Sequence, residues 1–170
     1  MTARKIVRYP HRFLTWPTYA WDFNHEGPSS EIHEMRAILV ESLNNVANGL
    51  ALAGNQVGIM HRMFLIKPSL AEEYCIPDLI VNPVLRQFDE GLTTEQEGCL
   101  SFPGIFLDIP RWGAIVAEFK DIDGHDHKVI LEDIGARCFQ HEVEHLDGKV
   151  FIDKIDRIKR FQIIGKMRKG

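Results

Sequence analysis

The stretch QHEVEHLDG, residues 140–148, sets the tightest condition on any fold this chain adopts. It places His141 and His145 four residues apart, with Glu142 directly after the first. On an α-helix, positions four apart share one face, so both imidazoles point the same way. Glu142 is turned about 100° from His141, and from there reaches a water on an ion rather than the ion itself. Two readings fit at this point. The motif is either two metal ligands with a general base, or a charge-rich turn of a solvent-facing helix. The first requires a third protein ligand and an open coordination position.

A chain of 170 residues suits one domain, taken here as 1–170. A net charge of −4 offers no global case for binding DNA or a membrane. Three cysteines supply no disulfide framework and suit a reducing compartment. The N-terminus lacks the apolar core of a secretory signal, and no segment nears the roughly 20 apolar residues of a membrane span. A cytoplasmic monomer is expected.

Residues 1–28, with Pro10, Pro17 and Pro28, read as extended, irregular chain. Ile32, Met35, Leu39, Leu43 and Val46 then follow helical spacing, with Gly49 as the stop. Short β-type runs follow at 63–66, 79–81, 114–119 and 128–131, and Asp123–Gly124 signals a hairpin between the last two. A second helix is predicted over Glu132–Leu146, capped by Asp133 and ended by Gly148. The segment 152–170 reads as a basic C-terminal helix, with an apolar stripe of Ile155, Ile158 and Phe161. Hairpin-paired strands with helices set apart from them predict an α+β fold.

The third ligand must lie upstream. After His145 the chain contains no His or Glu, and Asp147, Asp153 and Asp156 read as helix-end or solvated charges. Phe151 stands where H-E-x-x-H-x-x-G-x-x-H would place a ligand. Cys138 shares the helical face but sits about 10.5 Å from His145 along the axis. That gap is too long for a metal–sulfur bond near 2.3 Å, so Cys138 reads as a small buried residue lining a pocket. Cys75 reads as packing. Cys99 lies in EQEGCLSFPG, after a polar turn and next to Gly98. A Cys/His/His set with one open position is a catalytic arrangement.

With these residues the sequence resembles the peptide deformylases. GLALAGNQ (49–56), EGCLS (97–101) and HEVEHLDG (141–148) are similar to that family's three motifs in order and spacing, with VNP (81–83) and IPR (109–111) between them. The resemblance implies small antiparallel sheets around a central helix that carries HExxH, with a C-terminal helix. It implies removal of the formyl group from N-formyl-methionyl nascent polypeptides, by attack of a metal-bound hydroxide on the formyl carbon. Cys99, His141 and His145 would hold one divalent ion, Fe(II) natively, with Zn(II), Ni(II) or Co(II) as substitutes. Glu142 would be the general base, worth about 10²–10⁴-fold. The Gln56 amide and the Leu100 N–H would stabilise the oxyanion. Leu50, Ala51, Glu97, Gly98, Ile134 and Cys138 would contact substrate. In some deformylases a basic C-terminal helix docks on the ribosome, and the tail here suggests the same partner; the bland alternative is a solvated helix whose stripe lies on the core.

The sequence departs from the family pattern in places. Ala51 and Gly54 stand where Gly and Ala are common, and Glu144 replaces an aspartate. Glu144 is expected to pair with Arg111 rather than to bind metal. Glu95 and Arg137 occupy positions often aliphatic in relatives, and read either as an ion pair on the pocket rim or as two separate solvated charges. Two other functions compete: a zinc peptidase cleaving internal bonds, and a non-catalytic peptide- or ribosome-binding module.

Overall fold

The computed structural model describes residues 2–25, 27, 29–87 and 91–167. Helix α1 (Ser30–Asn44) buries Ile32, Leu39 and Leu43. It stops at Asn45, ahead of Gly49, so Val46 lies beyond it. The strands are β1 (Ala51–Ala53), β2 (Met63–Ile66), β3 (Leu79–Gln87), β4 (Leu92–Gly98), β5 (Phe106–Trp112), β6 (Ala114–Lys120) and β7 (Asp126–Glu132). Five of them form an antiparallel sheet in the order β1-β2-β3-β6-β7, while β4 and β5 pair as a separate two-stranded sheet. A short helix, α2 (Pro68–Glu73), links β2 to β3, and Cys75, expected to pack, is exposed just after it. The fold is α+β, as the motifs imply.

The predicted strands at 63–66, 79–81, 114–119 and 128–131 all appear, but β1, β4 and β5 have no counterpart in the sequence reading. In β4 only Glu97 of its seven residues is buried, so LTTEQEG carries no apolar alternation. In β5 the buried positions are Leu107, Ile109 and Arg111, and Pro110 interrupts the run. A proline is tolerated there because a two-stranded sheet consists of edges.

Between the two sheets runs α3 (Asp133–Leu146). Phe139 is fully buried, with its ring centroid 5.1 Å from Phe64 and 6.0 Å from Phe119. Burial of such a side chain contributes about 1.5–3 kcal/mol. On the opposite sheet face, Leu52, Leu65, Leu79 and Val81 pack with α1. α3 is therefore buried nearly all round, and its polar residues must find partners inside the protein.

The start of α3 corrects the predicted cap. Glu132 takes the cap position, and Asp133 opens α3 with φ +48°, in the left-handed region. The Tyr74 hydroxyl does the capping: it accepts from the Gly135 N–H at 3.1 Å and donates to Glu132 O at 3.1 Å. A Cβ on Gly135 would lie 2.6 Å from the Tyr74 ring, so only glycine permits this approach.

The tail is also corrected. A 3₁₀ turn (Phe151–Lys154) comes first, and α4 (Arg157–Met167) starts only after Asp156, whose carboxylate accepts from Ile158 N and Lys159 N at 3.0 and 2.9 Å. Ile163 is the buried residue of α4, whereas Ile158 and Phe161 are 74% and 79% exposed. Of the expected stripe only Ile155 packs against the core, and Ile158 and Phe161 face outward. Residues 168–170 of the predicted helix lie outside the described residues.

Candidate metal centre

The same face of α3 that carries His141 and His145 meets the cysteine loop after β4. Cys99 Sγ lies 3.2 Å from His145 Nε2, which is 3.1 Å from His141 Nε2. Tetrahedral Zn–N and Zn–S bonds of ~2.0–2.1 and ~2.3 Å imply ligand separations of roughly 3.3–3.6 Å. The three donors fit one cation with little adjustment. Cys138 is buried and lines the adjacent cleft without joining the trio.

The His141 ring is held from behind. His141 Nδ1 meets Glu97 Oε1 at 2.5 Å, which leaves Nε2 for a metal. Arg111 grips both Glu97 oxygens at 2.6 Å, and Arg137 Nη1 adds a contact at 3.3 Å. Burial alone would raise the Glu97 carboxyl, but hydrogen bonds from Arg111 and His141 bring it well below the usual range. Glu97 lines the cleft, yet its oxygens are engaged by these groups and act on His141. Arg111 also pairs with Glu144 at 3.1 Å, the contact expected from the sequence. Arg137 and Glu95 pair at 3.4 Å, but Arg137 is buried within the wall rather than standing on the rim.

His145 is fully buried, and burial together with the nearby His141 charge holds its pKa well below the usual value. A neutral imidazole is the form that ligates. Burial works to lower His141 too, but hydrogen bonds to Cys99 and Glu97 outweigh it and raise the ring well above its ordinary value. Glu142 is 5% exposed, its Oε2 has no hydrogen-bond partner among the described residues, and burial raises its pKa to about 7. A carboxylate so raised exchanges protons near neutral pH.

Gln56 sits on the 3₁₀ turn Gly54–Val57. Its oxygen accepts from the Ala53 N–H at 2.9 Å, which turns the amide nitrogen toward Ser101 Oγ at 3.1 Å and Cys99 Sγ at 3.7 Å. Nothing among the described residues accepts from the Leu100 backbone N–H. Gly54, a departure from the motif, is demanded locally: a Cβ there would fall 2.8 Å from Ile59 O. These groups border a cleft of about 830 Å³, also lined by Leu50, Ala51, Gly98 and Ile134. All six residues expected to contact substrate therefore lie on one cleft. Asn55, Ser101 and the Tyr74 cap escaped the sequence reading. Asn55 and Ser101 lie within the motif segments but carry no ligand chemistry of their own. Asn55 Nδ2 holds His145 O at 2.5 Å.

A half-buried thiol and two buried imidazoles beside a buried carboxylate, next to a cleft, have the layout of a catalytic rather than a structural metal centre. Known proteins agree on one family. The Polypeptide deformylase family profile matches residues 3–161. Peptide deformylase 2 of Gloeobacter violaceus is 36% identical over 132 residues, 76% of this chain and 69% of that protein. Peptide deformylase of Stenotrophomonas maltophilia is 39% identical over 123 residues, 72% of this chain and 71% of that one. The crystal structure of Ehrlichia chaffeensis peptide deformylase in complex with actinonin superposes with a TM-score of 0.87 at 29% identity, covering 99% of this chain and 98% of that one. The chain belongs to the polypeptide deformylase family and is an enzyme of that family.

Proposed function

We propose that this enzyme removes the formyl group from N-formyl-methionyl nascent polypeptides, with Cys99, His141 and His145 holding one divalent cation. The observation that carries the reading is the meeting of these donors with Glu142 and Gln56 at one cleft. When bound, the cation supplies the Lewis acidity that makes water a nucleophile near neutral pH. A thiolate with two imidazoles suits Fe(II), Zn(II), Co(II) or Ni(II), and Fe(II) is the proposed native ion.

The chain's own residues do the rest. Glu142 takes the water proton as the oxygen adds to the formyl carbon. The Gln56 amide and the Leu100 N–H donate to the resulting oxyanion, each such donor contributing about 3–4 kcal/mol. Collapse breaks the C–N bond, and Glu142 returns the proton to the leaving amine. The products are formate and a free N-terminus. Leu50, Ile134 and Cys138 form apolar walls for the methionine side chain, while Ala51 and Gly98 border the peptide backbone.

The tail supports a further contact. Arg157 and Lys159 flank the exposed Ile158 in sequence, with Phe161 exposed close by, a surface suited to ribosomal phosphates. Lys154 pairs with Glu144 at 2.8 Å and Arg160 with Asp153 at 2.6 Å. Ribosome pelleting should then fall steeply with salt, and salt-insensitive binding removes that contact. No helix among the described residues is long and apolar enough to cross a membrane.

The deciding experiment is formate release from formyl-Met-Ala-Ser by anaerobically iron-loaded enzyme. Turnover of the formyl peptide with no cleavage of acetyl-Met-Ala-Ser or of internal bonds is expected. Equal cleavage of the acetyl peptide, or internal cleavage, overturns the reading.

A further inference from the structure

Arg137 is buried, charged, and unused by the chemistry above. It stands one turn before His141 on the same face of α3, is 4% exposed, and lines the cleft beside Ile134, Cys138 and Glu97. Its head group passes out of the cleft into the β4–β5 hairpin. Nη1 donates to Ile109 O at 2.9 Å and to Glu97 Oε2 at 3.3 Å. Nη2 donates to Thr93 O at 3.0 Å and Thr93 Oγ1 at 3.2 Å, and Nε lies 3.4 Å from Glu95 Oε2. A guanidinium has five N–H donors, and five acceptors surround this one. None of Thr93, Glu95 and Ile109 lines the cleft.

The side chain thus spans from the metal-bearing helix to both strands of the hairpin, with both terminal nitrogens hydrogen-bonded there. An arginine in a pocket ordinarily swings or bonds its ligand. This one is pinned at both ends and presents its stem. We propose that Arg137 is the floor of the pocket for the substrate's first side chain, and so limits that side chain's length. The proposal rests on the deformylase reading for what enters the pocket.

The test reads binding rather than turnover, so the two ideas fail separately. Product peptides X-Ala-Ser, with X methionine, phenylalanine or 2-aminooctanoic acid, are titrated calorimetrically into zinc-loaded protein. Wild type should prefer methionine to the two longer side chains. Arg137→Ala should raise the affinity for 2-aminooctanoic acid relative to methionine by at least about tenfold, the scale of methylene discrimination in apolar pockets. Arg137→Gln, a milder change should the alanine variant not fold, should move the ratio the same way by less. Glu95→Ala removes one tether and should leave the ranking unchanged. A loss shared equally by all three peptides, or an unchanged ranking in zinc-replete Arg137 variants, overturns the proposal. A protein that binds these peptides as expected but releases no formate from formyl-Met-Ala-Ser would sink the deformylase reading alone.

Discussion

Two clusters of metal-capable side chains lie among the described residues, and they differ in donor type, burial and prior engagement. Cys99, His141 and His145 converge beneath the cleft, while Asp121, Asp123 and His125 meet on the β6–β7 hairpin with His127 close by. At the hairpin, Asp121 is already consumed. It accepts from the backbone N–H groups of Asp123 and His125 at 2.9 Å each, and meets the rings of His125 and His127 at 3.2 and 2.9 Å. The His125 side chain is 75% exposed, so water also competes. At the centre, by contrast, His145 Nδ1 and Glu142 Oε2 are buried without partners among the described residues, and the three donor atoms face one another. Ligand chemistry alone does not make a site. Desolvation, and the lack of rival hydrogen bonds, does.

The largest expected effect breaks the contrast directly. Cys99→Ala should cost metal affinity by more than the 10–100-fold typical of losing a supporting partner. The double change His125→Ala, His127→Ala should leave metal content, read by mass spectrometry of native protein, as in wild type. Metal lost from the hairpin variant would mean the two clusters are alike after all. Next comes Glu142→Gln, expected to lower kcat by about 10²–10⁴-fold with the metal retained; a loss of metal with activity would make Glu142 a ligand.

Arg111→Leu tests whether burial makes the central network all-or-none. Arg111 is 1% exposed and compensates both Glu97 and Glu144. Leaving a buried charge unpaired costs about 3–5 kcal/mol, which denaturant unfolding resolves. The smallest effect belongs to the hairpin. Burial opposes ionisation of Asp121, but the hydrogen bond from His127 and the backbone ones bring its pKa to about 2, from an ordinary 3.8. This lowered value gives stability that is complete above about pH 3.8 and lost as pH falls through about 2. Asp121→Asn should therefore destabilise by no more than about 1 kcal/mol near neutrality, and its acid-unfolding curve should merge with wild type below about pH 2. A variant curve that stays apart there would place the acid transition on another carboxylate.

Legibility in the sequence followed locality. Helical signals revealed α1 and α3, and uninterrupted β-rich runs revealed β2, β3, β6 and β7 of the large sheet but not β1. β4 stayed invisible because its one inward residue is a glutamate, and that glutamate's value lies in Arg111, 14 positions away. The tail misled for a related reason. Spacing could place Ile158 and Phe161 on a face, but not say that Ile163 would be the residue to dock. The expected pair Arg111–Glu144 forms, and of the two readings of Glu95 and Arg137 the ion pair holds, yet the depth of Arg137 came as a correction.

What the sequence determined by itself was the helix, the face it presents, and the kinds of donor on that face, since helical periodicity is a property of neighbouring residues. Only tertiary structure decided that a sulfur 46 positions from His145 would come within 3.2 Å of it. Only tertiary structure, too, raised Glu142 to about 7 and drew Arg137 under the cleft. Desolvation and charge pairing sum over every element packed against a group, and no local window of the chain contains that sum.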